Sequence, residues 1–203
     1  RNLKSLNQIK KLTSEIKILT KNKSFPIIID EEGKNVTRLS NIINHDISSN
    51  FFGKLYEKEK IFCLKILKNY IHYLCTLLKE IGINVNTIPV LDILRKNTNK
   101  VIGNRIFSKN KKIVKELGVS TIKYLHLNKI IGIIKHIPGH GAAVVDSHKK
   151  TPKVSLSLNK LNDIDFYPFK FSNAKCAMTA HILYSKIDKK NVATFSKKII
   201  KQI

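Results

Sequence analysis

The chain is predicted to be α/β, an incomplete (β/α)8 TIM barrel, and three observations predict it. Helical segments alternate with short β-branched runs at intervals of about forty to sixty residues, the pattern of βα units around a parallel sheet. Asp30, Asp92, the pair Lys135-His136 and His181 each follow directly on the apolar part of one of those runs. Reactive groups collected beyond strand ends are what the C-terminal rim of such a barrel provides. A doubly wound open sheet would also place ligands there, but no Gly-rich phosphate turn opens a helix after any run. A whole barrel takes about 250 residues. Four strands in 203 residues therefore describe an arc lacking the first and last strands, one partial domain over 1–203.

Leu6, Ile9, Leu12, Ile16 and Leu19 recur at helical spacing, so an amphipathic helix is expected over about 5–21. The run 26–29, Pro-Ile-Ile-Ile, reads as a buried strand ending at Asp30. A polar segment to about residue 58 follows, and then a long apolar helix over 59–80 closed by Gly82. The run 88–91 is the second strand, ending at Asp92. Another helix is expected over 109–127, interrupted or bent near Gly118. The third strand is 130–134 and the fourth 176–180, and Ser196 would cap a last helix.

A net charge of +24 raises the possibility of nucleic-acid binding. Of 38 basic residues, however, only Arg1, Arg38, Arg95 and Arg105 are arginine. Nucleic-acid readers need the guanidinium fork for bidentate contacts, and the lysine, asparagine and isoleucine bias is that of an A/T-rich coding sequence. No nucleic-acid partner is expected. No apolar run of 18 residues is present, so no membrane partner is expected either. Cys63, Cys75 and Cys176 are odd in number and have no zinc spacing; buried free thiols in a reducing cytoplasmic setting are the expectation.

The most distinctive stretch is 135–148, Lys-His-Ile-Pro-Gly-His-Gly-Ala-Ala-Val-Val-Asp-Ser-His. A buried strand delivers Lys135 and His136, a Pro-Gly turn follows, and glycines frame His140 before the loop reaches Asp146, Ser147 and His148. An isolated Asp-x-His triplet is usually a solvated loop. This one resembles, in identity and in spacing, the loop of family 3 glycoside hydrolases of the bacterial β-N-acetylhexosaminidase type, Lys-His-Phe-Pro-Gly-His-Gly, four residues, Asp-Ser-His. The resemblance implies that His148 is the catalytic acid/base with Asp146 as its partner. A carboxylate can orient an imidazole and stabilise its protonated form, which makes such a pair competent for proton transfer. It also implies that Lys135 and His136 bind substrate; Pro138, Gly139 and Gly141 would shape the loop and His140 would brace it.

Further segments share the resemblance, over about residues 26–197. Asp30-Glu31-Glu32-Gly33-Lys34-Asn35-Val36-Thr37-Arg38-Leu39 is similar to the family's Asp-Gln-Glu-Gly-Gly-x-Val-x-Arg-Leu. It implies that Asp30 and Arg38 hold the terminal sugar, with Glu31 replacing Gln and Lys34 replacing the second Gly. Residues 102–107, Ile-Gly-Asn-Arg-Ile-Phe, match a segment that carries a second sugar-contacting arginine, Arg105 here, with Asn104 in place of Asp. Two of four arginines thus fall where a rigid five-donor fork is hard to replace by lysine. Asp92 and His181 match as rim residues, either touching the sugar or standing behind groups that do.

Retaining hydrolysis also needs a nucleophilic carboxylate. In the family it is an Asp at the end of a later strand; the last acidic residue here, Asp188, matches a different stretch. The nucleophile is therefore expected outside this chain, with the chain alone inactive. The implied activity is a retaining exo-β-N-acetylglucosaminidase acting on anhydro-muropeptides in cytoplasmic peptidoglycan recycling. No cofactor or metal is expected, the partner is a small-molecule glycan, and the full-length protein would be a monomer. The alternatives are a family 3 β-glucosidase, an N-acetylglucosaminide phosphorylase, or a non-catalytic remnant.

Overall fold

The computed structural model describes residues 3–145 and 151–201. Helix α1 (Leu6–Leu19) is capped by the Ser5 hydroxyl, which accepts from Gln8 N. It buries Ile9 and Thr13, while Leu12 and Leu19 of the predicted stripe face solvent. The Thr13 hydroxyl donates to the Ile81 carbonyl and Lys17 Nζ to the Gly82 carbonyl, covering the end of α3 (Lys60–Glu80). Such contacts satisfy carbonyls that a helix terminus leaves without partners.

Along α3, Cys63, Leu67, Ile71, Leu74, Cys75 and Leu78 form one buried stripe at helical spacing. By length and composition α3 could cross a membrane, but this stripe is packed into the protein core. The segment expected to be merely polar holds a helix, α2 (Ser49–Lys58), started by Ser48 and burying Phe52. After the single turn α4 (Lys100–Gly103), helix α5 (Lys111–Leu127) runs unbroken through Gly118, contrary to the expected bend. A Cβ on Gly118 would overlap Leu91 Cδ2, so this glycine serves close packing and not a kink.

The strands are β1 (Ile28–Ile29), β2 (Val85–Asn86), β3 (Ile131–Ile137) and β5 (Cys176–Thr179), all parallel in the order β1-β2-β3-β5. Sequential order without reversal is the course of a barrel wall, whereas a doubly wound sheet reverses at a switch point. The architecture is thus an arc of a (β/α)8 barrel. The second strand pairs earlier than the run 88–91 implied, at Val85–Asn86, and pairing resumes where Leu91 N donates to the Lys135 carbonyl. Pro89, which has no N–H to give the ladder, lies between.

Two further helices, α6 (Leu158–Asp163) and α7 (Tyr167–Lys170), and a two-stranded parallel pair, β4 (Lys153–Val154) with β6 (Leu183–Tyr184), surround a second small core. That core is built on Leu161, Phe166, Ile182 and Tyr184. As expected, Ser196 caps a closing helix, α8 (Lys197–Ile200), by accepting from Ile199 N. Cys63 and Cys75 are buried, and burial pushes both thiols up to about 11. Cys176 is exposed, not buried as expected, because it opens β5, the outer strand of the sheet.

Candidate active site

Parallel register brings the strand ends to one level. Ile29 pairs with Asn86 and Asn86 with Gly132, so Asp30 and Thr87, one residue further on, stand side by side. Lys135 does not emerge beyond its strand as the sequence implied. It lies within β3, only 2% exposed, and points at its neighbours from the first two strands. Its Nζ lies 3.2 Å from Asp30 Oδ1, 2.7 Å from Thr87 Oγ1 and 2.5 Å from Glu32 Oε1. The Thr87 hydroxyl also donates to Asp30 Oδ1.

Glu32 is the junction. Arg105 meets it with a two-point fork, Nε to Oε2 at 2.7 Å and Nη2 to Oε1 at 2.8 Å. Burial opposes ionisation of Glu32, but the Arg105 and Lys135 contacts outweigh it and lower its pKa. Asp30 likewise resists ionisation by burial, yet Thr87, Lys135 and Arg38 hold it at about 2. Asp30 is thus a permanent acceptor at any physiological pH. Arg38 Nη2 lies 3.3 Å from Asp30 Oδ2, and these two side chains remain 40% and 36% exposed. They are the open face of the cluster; Lys135, Glu32 and Arg105 lie behind it.

His136, also within β3, is fixed by Asp92, which is fully buried. Asp92 Oδ2 lies 2.8 Å from His136 Nδ1, and Oδ1 accepts the backbone N–H groups of His136 and His140. Burial disfavours the Asp92 carboxylate, but His136 and His140 more than offset this and its pKa falls. With Nδ1–H directed at a carboxylate, Nε2 is left as the acceptor facing Arg105 Nη2 at 3.4 Å. The His140 ring is buried against His136, centroids 5.7 Å apart, and burial lowers its pKa.

The structure therefore gathers Asp30, Arg38, Arg105, Lys135 and His136 into one cluster, with Asp92 behind His136. His181 stands apart beyond β5, exposed, its Nδ1 2.6 Å from Thr194 Oγ1. Asp146 and His148 lie outside the described residues. The loop leading toward them is anchored: Tyr184 OH donates to the Gly139 carbonyl at 2.5 Å, and Thr98 Oγ1 to the Gly141 carbonyl at 2.8 Å. Beside it Arg95 grips the buried Asp165 with both Nε and Nη2. Sequence reasoning missed Thr87, Glu32, Arg95 and Asp165. Scarcity of arginine would have pointed to Arg95, since Arg38, Arg95 and Arg105 all meet carboxylates.

Chemically, Asp30 and Glu32 face the basic side chains of Arg38, Arg105 and Lys135, and Asp92 orients one imidazole. Paired charges offering both donors and acceptors suit a neutral ligand rich in hydroxyl groups better than an anion. Asp188 is not part of this cluster. It accepts from Lys190 N, Asn191 N and Ser196 Oγ in its own turn, contacts that lower its pKa. Among the described residues no group of three His, Cys, Asp or Glu is arranged to hold a metal.

Comparison with known proteins gives the family. A β-hexosaminidase of Neisseria meningitidis serogroup A is 33% identical over 207 residues, covering 100% of this chain and 56% of that protein. The β-hexosaminidase A of Pseudoalteromonas piscicida is 35% identical over 176 residues, covering 82% of this chain and 28% of its own length. The crystal structure of NagZ from Neisseria gonorrhoeae in complex with N-trifluoroacetyl-D-glucosamine superposes with a TM-score of 0.91 at 32% identity. That match covers 100% of this chain and 59% of the other. The chain thus spans little more than half of its Neisseria relatives. The glycosyl hydrolase family 3 N-terminal domain model matches residues 1–203, and the chain belongs to that family.

Proposed function

We propose that the protein carrying this chain is a retaining exo-β-N-acetylglucosaminidase. It removes terminal N-acetylglucosamine from anhydro-muropeptides in cytoplasmic peptidoglycan recycling. The observation that carries the reading is the half-exposed Asp30–Arg38 pair, backed by Lys135, Glu32 and Arg105 and flanked by the Asp92-oriented His136. Asp30 and the His136 Nε2 accept from sugar hydroxyls, while Arg38, Arg105 and Lys135 supply donors. That a related NagZ binds an N-acyl glucosamine supports the same ligand class here. His148 then donates a proton to the leaving oxygen and accepts one from water, steered by Asp146, while a carboxylate outside this chain is the nucleophile. Water as the acceptor is the reading that membership of a glycosyl hydrolase family supports.

The test is turnover of an aryl β-N-acetylglucosaminide by a protein of the relatives' length that contains this chain, with and without phosphate. Phosphate-independent release with retained anomeric configuration is expected. His148→Ala should lower kcat by about two to four orders of magnitude, the contribution of general acid–base catalysis. A His148→Ala protein with unchanged turnover overturns the assignment.

A further inference from the structure

A buried chain of polar groups lies behind the Asp30–Arg38 pair. Glu31 is fully buried, and its backbone is locked to β2: Glu31 N donates to Asn86 Oδ1 and Asn86 Nδ2 to the Glu31 carbonyl. Its side chain reaches across the turn. Oε2 accepts from Arg38 N at 2.7 Å and from Leu39 N at 3.1 Å. The other oxygen, Oε1, lies 2.5 Å from His45 Nδ1, and His45 Nε2 bonds to Tyr70 OH on α3. The imidazole is itself nearly enclosed, 7% exposed. Tyr70 packs against Phe52 at 5.2 Å between centroids, which ties the chain to the core.

We infer that Glu31, held by His45, is a positioning residue that sets the Arg38 guanidinium against Asp30 for sugar binding. This rests on the reading of the Asp30–Arg38 pair as a sugar site. The physical case is that a fully buried carboxylate is costly unless its oxygens are satisfied. Here both are, and two of the donors belong to the peptide segment that carries Arg38. Fixing the Arg38 backbone fixes the origin of a long side chain, so less freedom is lost when a ligand binds. Family members with Gln at this place have an amide, which offers one acceptor oxygen to the same N–H groups and an N–H to a partner. A carboxylate has no N–H to give, so His45 supplies the proton between the two side chains.

The probe is N-acetylglucosamine titrated into a protein of the relatives' length that contains this chain, read by the side-chain Nε–H signal of Arg38 and by a melting curve. The Arg38→Lys variant assigns that signal by its loss. Glu31→Ala should weaken binding about tenfold and collapse the Arg38 shift on titration; Glu31→Gln should stay within about threefold. His45→Ala strands the carboxylate and should also lose about tenfold, and Glu31→Gln placed in the His45→Ala background should recover most of it. If Glu31→Ala lowers only the melting temperature and leaves affinity and the Arg38 signal unchanged, the positioning role is wrong. Should Glu31→Ala fail to fold, His45→Ala decides: unchanged affinity there overturns the role. If the unaltered protein of that length shows no saturable binding, the sugar site itself falls, which distinguishes the two failures.

Discussion

Replacing Lys135 by methionine removes the cation at the centre of the cluster while keeping its length. The ammonium is 2% exposed and serves Asp30, Thr87 and Glu32 at once. Breaking a buried ion pair by deleting one partner costs about 3–5 kcal/mol. Glu32 keeps its fork from Arg105, and Asp30 keeps Thr87 and Arg38, so the lower end applies. For a domain of this size about 3 kcal/mol is a fall of roughly 6–12 °C in melting temperature. The pH dependence follows from sign. Asp30 and Glu32 titrate lower folded than unfolded, where their values are 3.8 and 4.5, so their contribution is complete above those values and is lost as pH falls toward 2. Without Lys135 both carboxyls move back up. The deficit of Lys135→Met should therefore be largest near pH 7 and narrow at pH 3. Melting curves at the two pH values measure it. Equal deficits at both, or a variant more stable than its parent at pH 7, would refute the account.

Two further perturbations probe parts of the fold that carry the site. Arg95→Ala leaves the buried Asp165 without its cation. Burial already raises the Asp165 pKa, Arg95 opposing and Asp92 adding, so the loss should be about 3–5 kcal/mol at pH 8. That acid is easier to protonate when folded, so its burden grows as pH rises above 3.8; the deficit at pH 4 should be smaller than at pH 8. Gly53→Ala should destabilise by about 2 kcal/mol although alanine favours helix by about 1 kcal/mol. The added carbon would collide with the Phe107 carbonyl, which cannot rotate away, and chemical denaturation reads the difference.

Strand location was legible in the sequence because β-branched runs mark buried parallel strands, and each of the four runs meets or adjoins a paired segment. Strand extent was not. Around Pro89 a continuous apolar run and a continuous ladder are different things, since pairing depends on N–H groups and not on hydrophobicity. Helix α2 hid within a polar stretch although Ser48 and the spacing of Phe52, Leu55 and Tyr56 signalled it. The small second core escaped because elements of two to six residues carry too little periodicity to detect. At the site, Asp30 and Arg38 stood out because the segment 30–39 resembles a family motif in which both positions are fixed at short range. The roles of Glu32 and Thr87 did not, because their partner Lys135 comes from a strand over a hundred positions away from Glu32 and nearly fifty from Thr87.

The pairing of charges along the rim has a consequence for behaviour in salt. The chain as a whole is strongly cationic, and its outer lysines should feel every change in ionic strength. The rim is different: its opposing ions lie within a few ångströms of one another, far inside the roughly 8–10 Å Debye length of physiological buffers, and partly shielded from water. Mobile ions cannot enter that gap. On the proposed reading of the rim as a sugar site, a neutral ligand is held about equally well in dilute and in concentrated electrolyte, even as the long-range field of the outer lysines fades.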